Sequence, residues 1–193
     1  MLLKKSSKTS IIIITSFIIL SIITLIIFEN RFFIPAKIRD VTREESNRFN
    51  VDESLVLSVI KCESGFKKDA LSLKGACGLM QLTVKTFDYI CDLNNIEGDI
   101  FDEKTNIKAG CAYLKYLSER FDGIKEIVCA YNAGEGTVKE WLRSKEYSED
   151  GVTLNVIPYK ETEKYYKRVM TYYYFYGGII NESGSSKGQK NLA

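Results

Sequence analysis

Glu63-Ser64 and the stretch that follows, to Gln81 (ESGFKKDALSLKGACGLMQ), hold the residue types in this chain best suited to chemistry. Val56, Val59, Ile60 and Glu63 fall at i, i+3, i+4 and i+7, one stripe of an amphipathic helix. A carboxyl group at the end of an apolar stripe faces protein. Burial disfavours its charged form and raises its pKa, which is how a Glu becomes a general acid near neutral pH. Downstream, Gly75 and Gly78 allow a tight turn or a close approach to a ligand. The 193 residues include no His. Ser-His-Asp and Cys-His hydrolases need an imidazole, and most catalytic zinc sites use one, so those classes are excluded. The five Cys (62, 77, 91, 111 and 129) show no metal-ligand spacing, and their odd number leaves at least one thiol unpaired.

The elements that must position Glu63 can be read around it. Asp52 is placed to cap the helix over 53–64, with Val51 and Val56 as a hydrophobic staple. Residues 65–78 read as loop and 83–93 as helix. A long helix is predicted over 104–121, with Ile107, Gly110/Cys111, Leu114, Leu117 and Phe121 on one face and Gly123 placed to stop it. Residues 124–131 are short and apolar, 137–143 carry Trp141, and 144–156 are polar and irregular. A Tyr-rich helix over 159–176 is closed by Gly177-Gly178. With no convincing run of alternating strands, the class is mainly α.

At the N-terminus, residues 11–28 form an uncharged apolar run long enough to cross a hydrocarbon core. Lys4, Lys5 and Lys8 precede it and predict a cytoplasmic tail over 1–10. No small-residue cleavage site follows. The expected plan is a transmembrane anchor over 11–28, a linker over 29–40, a domain over 41–180 outside the membrane, and a disordered tail over 181–193. Residues 38–181 hold 20 basic and 23 acidic side chains, which is no nucleic-acid footprint.

Four blocks occur in order. They are Glu63-Ser64 with Ser72-x-x-Gly75-Ala76-x-Gly78-Leu79-Met80-Gln81; Asn106-Ile107-x-x-Gly110-x-x-Tyr113-Leu114; Ala130-Tyr131-Asn132-Ala133-Gly134; and Ile157-Pro158-x-x-Glu161-Thr162-x-x-Tyr165. Together they resemble the catalytic core of the soluble-lytic-transglycosylase (SLT) family of peptidoglycan-cleaving enzymes. Two positions depart from the family pattern: Lys67-Lys68 stand where Asn-Pro is frequent, and Val84 where a Pro is frequent.

The resemblance implies a lysozyme-like (goose-type) catalytic domain. Glu63 would be general acid and then base, Ser72 would hold Glu63 or the N-acetyl group, and Met80, Gln81, Tyr131, Asn132, Glu161 and Tyr165 would bind substrate. It implies a substrate-assisted reaction on glycan strands that needs no cofactor or metal. Taken alone, each residue also has a plainer use. Ser72 and Gln81 suit a stitched loop, Tyr131-Asn132 a helix terminus, and Glu161 a helix first turn. Two other classes stand beside the transglycosylase: a lysozyme-type hydrolase of the same fold, and a non-catalytic wall-binding scaffold.

Overall fold

The structure, a computed structural model, describes residues 12–25 and 32–188. It divides into two compact units, residues 1–34 and 35–193. In the first, residues 12–25 form a helix, α1, whose large apolar side chains are exposed. Thr15 and Thr24 fold their hydroxyls back onto the carbonyls of Ile12 and Ser21, 2.9 and 2.8 Å away, so the helix surface stays apolar. Among the described residues no helix is long and apolar enough to cross a membrane. Residue 11, residues 26–28 and the predicted tail over 1–10 lie outside the described residues.

The second unit is built from helices, with one small hairpin. Helix α2 is Ala36–Phe49 and starts directly after Pro35, whose carbonyl accepts from Arg39 N at 3.0 Å. Residues 36–40 therefore belong to the domain and not to a linker. Pro has φ pre-set for a helix start, and its missing N–H costs nothing there. Ile38 in that turn is already core.

Helix α3, Glu53–Glu63, is the centre of the domain. It is capped as its sequence predicts: Asp52 Oδ1 accepts from Ser54 N at 2.7 Å and Leu55 N at 3.4 Å. Its character differs from the amphipathic helix expected. Residues 54–60 are all buried, because α2 and α8 both pack on it. The Ser58 hydroxyl donates to Ser54 O at 2.6 Å, which removes an unpaired polar group from this core.

A two-stranded antiparallel ribbon follows, which the sequence did not signal. β1 is Ala76–Cys77 and β2 is Leu82–Thr83, paired Ala76 to Thr83 and Cys77 to Leu82. Strands of two residues carry no readable alternation. Helix α4 is Val84–Asn94; Thr83 caps it by accepting from Thr86 N. Val84 therefore fills the first helical position, where Pro is common, and the turn forms without one.

Helix α5, Glu103–Ser118, buries the face expected of it. Gly123, however, does not stop it. The helix ends at Ser118 with Glu119 as its C-cap, and Gly123 is the N-cap of α6, Ile124–Ala133. Gly134, at φ 92°, joins α6 to α7, Glu135–Arg143. Helix α8, Lys160–Gly188, passes through Gly177-Gly178 without stopping. A Gly costs a helix about 1 kcal/mol relative to Ala and does not break it. At Gly177 a Cβ would stand 3.7 Å from Ser54 Oγ, an ordinary contact, so packing there does not demand glycine. The predicted disordered tail thus falls partly on helix, to residue 188, and partly outside the described residues.

Asp52 holds two elements at once, because its Oδ2 accepts from Tyr173 OH on α8 at 2.9 Å. Asp52→Ala should lower stability by about 1–3 kcal/mol, read as a shifted urea midpoint. Asp52→Asn, which still caps, should lose clearly less. Equal losses would remove the cap from the explanation.

Candidate active site

Glu63 is the last residue of α3. The chain then turns sharply through Gly65 and Phe66, both at positive φ. Lys67 N donates to Ser64 O at 3.2 Å and Ala70 N to Lys67 O at 3.3 Å, so this turn also forms without proline. Glu63 is half-buried, and burial pushes its pKa up from 4.5 to about 7. Tyr165 and then Arg168, both on α8, hold it back from going further. The Tyr165 hydroxyl faces the carboxyl group without a fully formed hydrogen bond. Tyr131 faces it from α6, and burial with the charge of Glu63 raises the phenol pKa well above its ordinary value. Among the described residues no second carboxylate acts on Glu63.

The loop beside Glu63 is held by its own polar groups. Ser72 Oγ accepts from Ala76 N at 2.9 Å, and no hydrogen bond joins it to Glu63 among the described residues. Gln81, at φ 49°, donates from Nε2 to Ala70 O at 3.0 Å and Gly78 O at 2.9 Å. Both residues therefore stitch the loop. Asn106 on α5 locks the far side: its Oδ1 accepts from Met80 N at 2.8 Å, and its Nδ2 donates to Ile100 O at 2.7 Å and Cys77 O at 3.2 Å. Only Gly fits at position 78, where a Cβ would stand 2.3 Å from Asn106 Nδ2.

Met80 departs from its expected place. It is 0% exposed and cannot touch a substrate in this state. Its thioether fills the space over Gly110, where a Cβ would stand 2.0 Å from the sulfur. Its carbonyl accepts from Tyr131 OH at 2.7 Å, which fixes that ring beside Glu63. Met80 is a wedge under the site.

Asn132 and Glu161 are exposed. With Lys74 and Pro158 they line an open groove of about 550 Å³. Thr162 Oγ1 donates to Asn132 Oδ1 at 2.8 Å, tying α8 to the end of α6. A second groove, of about 430 Å³, is lined by Lys85, Thr86, Tyr89, Tyr113, Tyr116 and Glu135. A run of rings leads to it from Glu63: Tyr131 to Tyr113 at 5.2 Å, Tyr113 to Tyr116 at 6.1 Å and Tyr116 to Tyr89 at 5.8 Å. Glu63 itself lines neither groove.

The structure thus groups Glu63 with Tyr131 and Tyr165, and Asn132 with Glu161. Three contributors were not singled out from sequence. Asn106 had a signal, an amide at the edge of an apolar stripe. Tyr113 sat inside a motif block. Arg168 had none, since its partner lies 106 positions away. All five cysteines are free thiols.

A family model described as the transglycosylase SLT domain matches residues 40–152. The chain is 30% identical over 155 residues to soluble lytic murein transglycosylase of Escherichia coli K12, covering 77% of this chain and 24% of that protein. It is 33% identical over 150 residues to membrane-bound lytic murein transglycosylase C of Mannheimia succiniciproducens, covering 70% of this chain and 41% of that protein. Among solved structures, an inactive mutant of lytic transglycosylase Slt from Pseudomonas aeruginosa matches with a TM-score of 0.69 at 28% identity, over 79% of this chain and 25% of that one. The chain spans about a quarter of the length of the first of these relatives.

The raised pKa of Glu63 has a stability consequence. Unfolded, the carboxyl releases its proton near 4.5; folded, near 7. Between these values the folded chain binds the extra proton, so the contribution of Glu63 to stability falls as pH rises through this window and stays low above it. Glu63→Gln removes the linkage. The variant should match wild type near pH 4 and be the more stable of the two near pH 8 in urea titrations. Parallel pH curves would contradict the burial of this group.

Proposed function

We propose, from the premise that this chain belongs to the transglycosylase SLT family, that it is a membrane-anchored peptidoglycan lytic transglycosylase with Glu63 as its acid and base. The observation that carries the proposal is the half-buried Glu63 with its pKa near 7, faced by two phenols and with no second carboxylate acting on it among the described residues. Common glycosidases flank the bond with two carboxylates. A site with one can obtain its second group from the substrate.

The steps balance within the glycan. Glu63 gives its proton to the oxygen joining N-acetylmuramic acid to N-acetylglucosamine, and the C1–O bond breaks. The muramyl N-acetyl carbonyl stabilises the positive charge left at C1. Glu63, now a carboxylate, takes the proton of the C6 hydroxyl as that oxygen bonds to C1. A 1,6-anhydro end results, and no water is consumed. A pKa near 7 suits both halves, since the acid is protonated at neutral pH and its base form is not too weak.

The exposed Asn132 and Glu161 and the tyrosine-lined groove suit a sugar strand, whose ring faces pack on aromatic surfaces and whose hydroxyls take polar contacts. Glu161 would position sugar and transfer no proton. Ser72 and Gln81 would act through the loop that they stitch, with the partly exposed Gln81 also open to contact, whereas Tyr165 is buried and would act on the sugar only through Glu63. The anchor is supported by the uncharged run over 11–28 with Lys4, Lys5 and Lys8 before it. Protease added to wall-stripped cells should remove the domain over 41–180. A chain protected at full length, or a mature protein beginning after residue 28, would contradict the anchor.

Glu63→Gln keeps the shape of the site but can neither deliver nor accept the proton. Its peptidoglycan turnover should fall about 10⁴-fold or more, at or beyond the upper end for general acid–base catalysis, while pull-down of sacculi largely survives. Glu161→Gln should lose less turnover. Near-normal turnover by Glu63→Gln with Glu161→Gln inactive would assign the acid to the other residue.

A further inference from the structure

Helix α3 ends at Glu63, which leaves its last carbonyls without partners inside the helix. Local groups take two of them: Ser64 N donates to Ile60 O at 3.0 Å and Gly65 N to Lys61 O at 3.2 Å. The carbonyl of Cys62 is taken from a distance. Arg168 NH2, on α8, donates to Cys62 O at 2.8 Å. A cation at a helix C-terminus also meets the negative end of the helix dipole, which adds to this contact. We infer that Arg168 is a positioning residue of the site: it clamps the end of α3 that carries Glu63 and sets its guanidinium charge against that carboxyl group. The inference rests on the transglycosylase reading for its meaning, though not for its test.

The groups facing Glu63 come from three elements. Cys62 is its neighbour on α3, while the Lys61 ammonium turns to the rings of Phe66 and Tyr172; Tyr131 stands on α6; Tyr165 and Arg168 stand on α8. Burial drives the acid up, and Tyr165 and Arg168 oppose it. Of these two only Arg168 carries a charge, and its side chain is exposed. Its effect should therefore respond to salt, since exposed charges are screened within about 8 Å at physiological ionic strength. Without Arg168 the acid would keep its proton to higher pH and its conjugate base would form less readily. Arg168 thus makes Glu63 the readier proton donor and the weaker base, while leaving the proton transfers themselves to Glu63.

The test is a carbon-13 NMR titration of the Glu63 side-chain carboxyl in the full chain, for wild type, Arg168→Gln and Arg168→Lys, with turnover of peptidoglycan measured across the same pH range. The wild-type midpoint should lie near 7. Arg168→Gln should move it upward and carry the high-pH limb of turnover with it. Arg168→Lys keeps the charge and should stay close to wild type. A role in helix packing alone would lower turnover equally at every pH and leave the midpoint in place, and that result overturns the inference. If Arg168→Gln does not fold, wild type decides: raising salt should move its midpoint upward, and a midpoint indifferent to salt counts against the inference. A shifted midpoint with no turnover in any protein would sink the transglycosylase reading and leave the role of Arg168 standing. An unshifted midpoint in an active enzyme does the reverse.

Discussion

Everything near the site depends on holding one carboxyl group out of water at the C-terminal end of a buried helix. Both circumstances resist ionisation. The apolar surroundings penalise the charge, and the negative end of the helix dipole adds to the penalty within the last turn. A helix half in solvent would not do this. Residues 54–60 are all buried, so α3 serves as a rigid rod between α2 and α8 with Glu63 at its tip.

The rest of the domain reads as support for that tip. Asp52 fixes the start of the rod and ties it to Tyr173. Asn106 spends its amide on three backbone groups of the neighbouring loops, and so holds Met80. Met80 in turn receives the Tyr131 hydroxyl. A chain of contacts thus runs from α5 through the loop to the phenol facing Glu63. Thr162 and Asn132 make the corresponding tie between α6 and α8. Glu63, Tyr131 and Tyr165 are thus all carried on helices, which hold side chains more rigidly than loops do.

Helices with long periodic stripes were legible in the sequence. The face of α5 and the cap of α3 came out as read, because periodicity and capping are local. Non-local features were not. That residues 54–60 of α3 are all buried follows from what packs on it, and no stripe within 53–63 reports that. Gly123 and Gly177 each offered a stop signal, yet one opens a helix and the other lies within one; a glycine permits several backbone choices, and tertiary contacts select among them. The ribbon of β1 and β2 is too short to leave a pattern. In the candidate site, the four blocks fall around Glu63, but type alone did not separate exposed residues from those buried beneath them. Met80 shows the difference: it is fully buried, and its thioether fills the space over Gly110. Arg168 acts across 106 positions and left no local trace.

A single acid that serves as base toward the sugar's own hydroxyl makes a product different from one made by water. Digesting purified peptidoglycan with the full chain in oxygen-18 water, followed by mass spectrometry of the released fragments, reads that difference directly. The result expected is anhydro fragments, lighter by one water than reducing-end products and free of the heavy isotope. Reducing-end fragments that carry one oxygen-18 at the muramyl terminus would contradict it, because water and not the C6 oxygen would then have closed the reaction.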